Sequence, residues 1–372
     1  MNIERACALI DLRALKANVS EIAGVIGGGV KIMAVVKANA YGHGAVECGK
    51  AALSAGADWL GVATVSEAIE LRESGIGAEI LVFGAPAQTN FSQMVNFDLT
   101  ATVYSGELAE GLSQAAKSMG KKADVHIKIE TGMNRVGLRG WVDEELSEIL
   151  RIFEQNGLNV TGAYTHFAQS MDNQDFTRVQ FEAYMETLKH LETRGIKVPL
   201  RHVSNSGGVL RCRDYDLDMV RPGTILYGIY TKEEMGEGLS IAPVMKLMAR
   251  VVHVKEIKAG DTVGYNQTYM AKKTIKVATV SIGYGDGYAR SLGNKASAIV
   301  GGVLCPVIGI VCMDALMLDV SGANVSVGDC VTLLGRDGEH EISASDVARL
   351  LGTNSLEVTT AVNTRPQRQY IM

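Results

Sequence analysis

Strand-like and helix-like runs alternate through the first 230 residues of this chain, and that alternation limits the folds open to it more than any single motif does. Short β-branched or apolar runs fall at 31–36, 59–65, 80–83, 100–104, 125–129, 160–165, 201–204 and 218–227. Helix-like stretches lie between them, at 45–55, 66–74, 106–118, 142–155 and 175–193. In the last of these, Phe181, Tyr184, Met185 and Leu188 recur at i, i+3, i+4 and i+7, which places them on one face of a helix. Strands separated by helices pair in parallel. Eight such repeats in about 230 residues suit a closed (β/α)8 barrel. The rival is an open doubly wound sheet, which normally carries a Gly-rich phosphate loop after its first strand, and no GxGxxG follows Val36.

After Met235 helical patterns become scarce. Strand-like runs at 251–257, 275–282, 303–311, 315–320 and 330–334 are separated by Gly-containing turns. The chain is therefore read as an α/β barrel over residues 1–235 and a mostly-β domain over residues 236–372, with a short helix near 343–351 capped by Ser343 or Ser345. Residues 296–313 carry no charge over 18 positions, which approaches the length of a membrane span. Gly301-Gly302, Pro306 and the many Val and Ile residues favour two strands and a turn instead.

Charged residues make up 21% and apolar ones 47% of the 372, the balance of a soluble globular enzyme with room for a large core. A net charge of −5 gives no reason to expect nucleic acid as a partner. The first residues are charged throughout, unlike a signal peptide. The six cysteines show no CxxC and no paired spacing. They read as free thiols in a reducing, cytoplasmic setting, and no metal site is expected.

Lys37 ends the apolar run KIMAVVK and is followed at once by ANAYGHG. Lysine is almost never fully buried unpaired, so a lysine at the mouth of a strand calls for a chemical reason. Partial loss of water lowers its pKa and frees the amine for Schiff-base chemistry with an aldehyde. Active sites of parallel barrels lie at the C-terminal strand ends, and other polar residues collect there. Tyr41 follows strand one. Lys128, Glu130, Asn134 and Arg135 end strand five in HIKIETGMNRVG, and His166 ends strand six. Asn205 and Ser206 follow strand seven, and Arg221 lies in strand eight. The segments Asn205-Ser206-Gly207-Gly208 and Pro222-Gly223-Thr224 offer backbone N–H groups suited to an anion such as phosphate.

Seven segments in register, AVVKANAYGHG, HIKIETGMNRVG, TGAYTHFA, VRPGTILYG, VGYNQTY, SIGYGDGYAR and VCMDALMLDV, resemble the alanine racemase family over essentially the whole chain. The resemblance implies a TIM-type barrel, pyridoxal 5'-phosphate as cofactor, an amino acid substrate and no metal. Lys37 then holds the cofactor through its amine and, once freed, serves as one of two bases at the α-carbon. Tyr265 in VGYNQTY matches the second base. His166 matches the histidine touching that tyrosine and the arginine matched by Arg221, which faces the pyridine nitrogen. A permanently charged arginine cannot take a proton from the ring, so the ring stays neutral and side reactions such as transamination are limited. Arg135 matches the residue near the cofactor oxygen and the substrate carboxylate. Lys128 matches a lysine that is carbamylated in many members, and an unmodified Lys128 fits the sequence equally well. Tyr41, Asn205, Ser206, Gly223 and Thr224 match the phosphate surroundings, and Tyr284, Met313 and Asp314 the substrate entrance. The family works as a homodimer in which one subunit's β domain completes the other's barrel site.

Two departures stand out. Where the family usually has a tyrosine before an arginine near the C-terminus, Thr364 precedes Arg365. A hydroxyl without a ring widens the pocket and makes serine a second candidate substrate beside alanine. Thr224 replaces a common aliphatic residue. The remaining alternatives are a non-catalytic pyridoxal-phosphate carrier, which lacks the β domain and its tyrosine, and a decarboxylase of the same two-domain plan acting on larger basic amino acids.

Overall fold

The structure is a computed structural model and describes residues 3–230 and 239–372. The first strand, β1 (Ala6–Asp11), stands apart from the barrel. Eight parallel strands follow: β2 (Lys31–Val35), β3 (Trp59–Val62), β4 (Glu79–Val82), β5 (Thr100–Val103), β6 (Ala123–Lys128), β7 (Leu158–Tyr164), β8 (Leu200–His202) and β9 (Met219–Val220). They pair in the order β8-β7-β6-β5-β4-β3-β2-β9. The remaining seam is drawn together by Asp218 N donating to Arg201 O at 3.1 Å and Arg221 N donating to Ser204 O at 2.9 Å. The ring is thus closed, as the repeat count implied.

The last expected strand, 218–227, is only partly a strand. β9 stops at Val220, and Thr224–Tyr227 turns into a 3-10 helix ending at left-handed Gly228 (φ 64°). Pro222 has no N–H to give a ladder, so the extended run breaks there. Inside the barrel, Met33, Trp59, Leu81, Tyr164 and Met219 pack as a cluster of their own, distinct from the larger core between strands and helices. The helix Gln174–Glu192 begins at Asn173, whose side chain accepts from Phe176 N. It buries Tyr184, whose hydroxyl donates to Ala163 O at 2.7 Å and ties the helix to β7.

The β domain contains β10 (Met245–Ile257), β11 (Thr262–Val263), β12 (Tyr269–Met270), β13 (Ile275–Val280), β14 (Ser297–Val300), β15 (Val303–Ile308), β16 (Leu316–Asp319), β17 (Cys330–Asp337), β18 (His340–Ile342) and β19 (Gln367–Ile371). Its main sheet runs β18-β17-β14-β15-β16-β13-β10-β1-β19, and an extra β10–β17 pairing closes part of it on itself. The uncharged stretch 296–313 is the β14–β15 hairpin, turned at Gly301 and Gly302 with φ of 54° and 78°. No described helix is long and apolar enough to cross a membrane. The helix near the C-terminus is Ala344–Leu351, capped by Ser343 with Asp346 completing a capping box. A further helix, Ser355–Ala361, had no counterpart in the sequence reading.

The division at 235/236 falls outside the described residues. The N-terminal strand lies outside the barrel. β1 pairs antiparallel with β10 and parallel with β19, so the N-terminal strand belongs to the β sheet and not to the barrel. This short strand had no place in an eight-repeat count, and its partners lie more than 200 residues away, beyond the reach of local pattern.

Candidate active site

A cavity of about 460 Å³ opens at the C-terminal ends of the barrel strands. Lys37, Tyr41, Lys128, Arg135, His166, Asn205, Ser206, Arg221, Gly223 and Thr224 all line it. These ten barrel residues are therefore brought to one space, whereas Glu130 and Asn134, expected beside them, do not line it.

Lys37 is presented by unusual backbone. Ala38, Asn39, Ala40 and Tyr41 all have φ between 50° and 53°, a left-handed turn of four non-glycine residues. Each such residue costs about 1–2 kcal/mol, so the turn persists only because its surroundings hold it. Glu67 accepts from Ala38 N and Ala63 N, both at 2.7 Å, and so ties the turn to the end of β3. His43 is fully buried and donates from Nδ1 to Ala40 O (2.9 Å) and Tyr41 O (3.1 Å). Thus pinned, the turn lays Tyr41 beneath Lys37, with Nζ 5.9 Å from the ring centre. Burial and the nearby charge of Arg135 lower the Lys37 pKa, partly opposed by Glu67. This is the shift a nucleophilic amine needs.

Arg221 crosses the floor of the cavity. Its Nη1 donates to His202 Nδ1 at 2.9 Å, and Nη2 donates to Thr165 O at 2.6 Å and Val203 O at 3.0 Å. All three acceptors are neutral. Burial brings the Arg221 pKa down to about 10, so the guanidinium remains charged at neutral pH. Lys128 is buried, lies 5.5 Å from the Tyr164 ring centre and donates to Ile129 O at 2.8 Å. Burial lowers its pKa to about 7; Glu130 opposes this, while Arg221 and Arg135 add to it. His166 is held well below the ordinary histidine range by loss of water and by Arg221, Arg135, Lys128 and Lys37. It is thus a neutral imidazole among cations.

Beside Arg221 the wall is built from Ser206, Gly207, Gly223 and Thr224. Ser206 Oγ accepts from Gly223 N at 2.9 Å, and Asn205 Oδ1 accepts from Gly208 N at 3.1 Å. Those two N–H groups, expected to be free, are thus satisfied within the chain. A Cβ on Gly223 would stand 2.7 Å from the Tyr41 hydroxyl, so only glycine lets the two meet. The arrangement suits pyridoxal phosphate: a half-buried amine to bond its aldehyde, an uncompensated cation, and a small polar pocket for its phosphate. The cavity also reveals residues that sequence reasoning passed over. Tyr164, stacked on His202 at 4.9 Å, forms part of the floor. Its place two residues before His166 was the available clue.

The β-domain candidates lie elsewhere. Tyr265 is 65% exposed, Tyr284 40% and Met313 52%, and none of them lines the cavity. Tyr265 borders a separate depression of about 450 Å³ with Thr262, Cys312 and Met317. Like Lys37 it sits beside left-handed backbone, between Gly264 (φ 74°) and Asn266 and Gln267 (φ 60° and 50°). Asp314 accepts from Arg365 Nη2 at 2.7 Å and through its carbonyl from Arg5 at 3.0 Å. Thr364 is exposed, and within one chain it does not reach the cavity, whose wall from that region is Leu356.

Residues 10–231 match the family described as Alanine racemase, N-terminal domain, and residues 244–370 match Alanine racemase, C-terminal domain. An alanine racemase of Methanococcus maripaludis is 42% identical over 370 residues, covering 98% of both chains. A solved alanine racemase of Clostridium difficile superposes with TM-score 0.94 at 36% identity, covering 99% of this chain and 96% of that one. One from Bartonella henselae, solved with covalently bound pyridoxal phosphate, superposes with TM-score 0.87 at 28% identity over 99% of each chain. With both halves matched in order and the cavity residues in place, this chain belongs to the alanine racemase family.

Proposed function

We propose that the chain interconverts L- and D-alanine with pyridoxal phosphate, as a cytoplasmic homodimer whose active sites are each shared between two subunits. The observation that carries this is the convergence of Lys37 and Arg221 on one cavity in a chain of this family. When bound, the cofactor supplies an electron-withdrawing ring that makes the substrate's α-proton removable. The residues do the rest. Lys37 holds the cofactor through its amine and, when released, carries a proton at Nζ on one face of the α-carbon. Tyr265 of the second subunit holds or gives a proton at its hydroxyl on the other face. A tyrosine ordinarily titrates near 10, so it needs help to act as a base. We assign that help to the neutral imidazole of His166, which lines the barrel cavity.

Arg221 keeps its charge toward the pyridine nitrogen, since nothing bound to it here can neutralise it. Arg135, at the cavity rim, pairs with the substrate carboxylate. With its pKa lowered to about 7, Lys128 at neutral pH is in large part an uncharged amine alongside the charged form, and the uncharged form is the one that takes up carbon dioxide to become a carbamate. As an anion it would attract Arg135 instead of repelling it. Tyr41, Asn205, Ser206, Gly223 and Thr224 surround the phosphate, and Tyr284, Met313 and Asp314 of the second subunit shape the entrance. The barrel thus holds the cofactor and the β domain supplies the second base. The six free cysteines suit a reducing compartment.

The relatives reported above are alanine racemases, so the serine reading is not favoured, nor are the carrier and the decarboxylase. Purified protein with pyridoxal phosphate and L-alanine, L-serine or L-lysine tests all of them, with D-product separated by chiral chromatography and Lys37→Ala as the blank. D-alanine in excess is expected. D-serine at equal or higher yield would overturn the substrate assignment, and no D-product from any of the three would overturn the activity.

A further inference from the structure

Behind Arg221 the barrel interior holds a line of histidines that the chemistry above does not use. His202 lies on β8 and His126 on β6, and both are fully buried. His202 Nε2 lies 2.9 Å from His126 Nδ1. The hydrogens can be placed by elimination. A guanidinium only donates, so His202 Nδ1 must accept from Arg221 and carry no proton. A neutral His202 then has its proton on Nε2, which donates to His126 Nδ1. His126 Nδ1 is an acceptor in its turn, so the His126 proton sits on Nε2. That last N–H is buried and has no hydrogen-bond partner. It lies against Gly162, where a Cβ would stand 2.7 Å from Nε2. Glycine leaves the notch that receives it.

A line of this kind has a direction. Every hydrogen bond points from Arg221 inward, and the unmatched donor is placed at the far end, away from the cavity. An unpartnered buried donor costs about 1–3 kcal/mol, and such a cost needs an explanation. Aromatic packing holds both rings: Tyr164 stacks on His202 with 11° between planes, and Trp59 lies 5.3 Å from His126. Burial and the Arg221 charge keep both imidazoles neutral, which preserves the single direction.

We propose that His126 is a positioning residue for Arg221: as the acceptor for His202 Nε2–H it shares with Arg221 in holding the His202 tautomer, and so steadies the neutral acceptor that aims the guanidinium at the cavity. The proposal rests on the reading of that cavity as the cofactor site.

The test uses the full-length enzyme loaded with pyridoxal phosphate and labelled with 15N-histidine. Two-bond N–H couplings report which ring nitrogen carries the proton. Both His126 and His202 are expected as the Nε2–H form. A proton on His202 Nδ1, or on both nitrogens, overturns the proposal. His126→Phe removes the acceptor while keeping a ring, and Gly162→Ala displaces His126 from the side. His126→Asn places a carbonyl oxygen where Nδ1 was and restores the acceptor. With His126→Phe, we expect a mixed His202 tautomer, a shifted absorption maximum of the bound cofactor, and kcat lower by about ten-fold with little change in KM. His126→Asn returns all three toward wild type. Equal loss in the Phe and Asn variants, with the His202 tautomer unchanged in both, would mean that His126 only fills space. The tautomer and absorption readings need no turnover, so a wild-type enzyme that fails to racemise alanine overturns the function and leaves this proposal to stand or fall on those spectra.

Discussion

The two regions that carry the chemistry of this chain are finished to different degrees. At the barrel mouth Lys37, Lys128, His166 and Arg221 meet in one cavity, and burial has moved the ionisation of each. On the β domain Tyr265, Tyr284 and Met313 stand in the open. A large apolar or aromatic side chain more than half exposed, as Tyr265 and Met313 are, gains little from where it is unless another surface covers it. The contrast teaches that a site can be complete in one half and only presented in the other. The barrel is pre-organised within its own chain, whereas the β-domain residues stand exposed, as the proposed sharing of the site between two subunits requires.

The sharpest way to break the contrast is to damage each side separately. Lys37→Ala should remove racemisation by about 10⁴-fold or more and abolish the covalent hold on the cofactor, read from turnover and from the loss of the bound absorption band. Tyr265→Phe should lower turnover by about 10²–10⁴-fold, mostly in one direction, with the cofactor retained. Full activity both ways would end the two-base assignment. Mixing the two defective chains then tests where the halves meet. Random pairing places half of the dimers in mixed form, each with one intact site, so co-refolded Lys37→Ala and Tyr265→Phe should recover roughly a quarter of wild-type turnover. If the mixture stays inactive, Tyr265 serves its own chain and the contrast collapses.

Smaller effects sharpen the barrel side. The Lys128 pKa is lowered to about 7 from the 10.5 of a free side chain, because burial disfavours the charge. Between those values the unfolded chain binds the proton that the folded chain has given up, so Lys128 makes stability rise with pH there, by up to ~1.4 kcal/mol per pH unit. Below about pH 7 both states are protonated, and its contribution stops changing. Denaturant unfolding at pH 7 to 9 should show a shallower rise in Lys128→Met than in wild type; parallel curves would count against the shift. The smallest expected effect is at Ala38, exposed and left-handed at φ 50°. Ala38→Gly should relieve about 1 kcal/mol of strain, less what glycine adds to unfolded-chain freedom, leaving stability equal or slightly higher while turnover falls as the Lys37 turn loosens.

Much of the barrel was legible because its repeats are local. Val and Ile runs and intervening helices declare themselves within a few residues, and their ends point to the mouth where Lys37 and Arg221 lie. The features that stayed hidden depend on distant partners. β1 reads as a strand only when β10 and β19 flank it. The break after Val220 was visible in Pro222-Gly223, but the apolar residues Ile225, Leu226 and Tyr227 masked it by looking like more strand. His126 and His202 were invisible as a pair, since 76 residues separate them and only closure of the barrel brings them to 2.9 Å. Thr364, like Tyr265, does not line the cavity of its own chain, so its expected place beside the cofactor is not legible in one subunit.

The position of β1 also sets an order of events during synthesis. Its parallel neighbour β19 ends at Ile371, so Cys7 must wait for Gln367 before that edge can close. The barrel, built from neighbours in sequence, can assemble while the rest is still being made, since non-local pairings pay for closing long loops before they gain from it. Until β19 has emerged, β1 extends from the folded barrel with one edge covered by β10 and the other unpaired. That interval exposes the nascent chain to aggregation, and it makes truncation of even the last few residues a fault in the first strand as well as in the last.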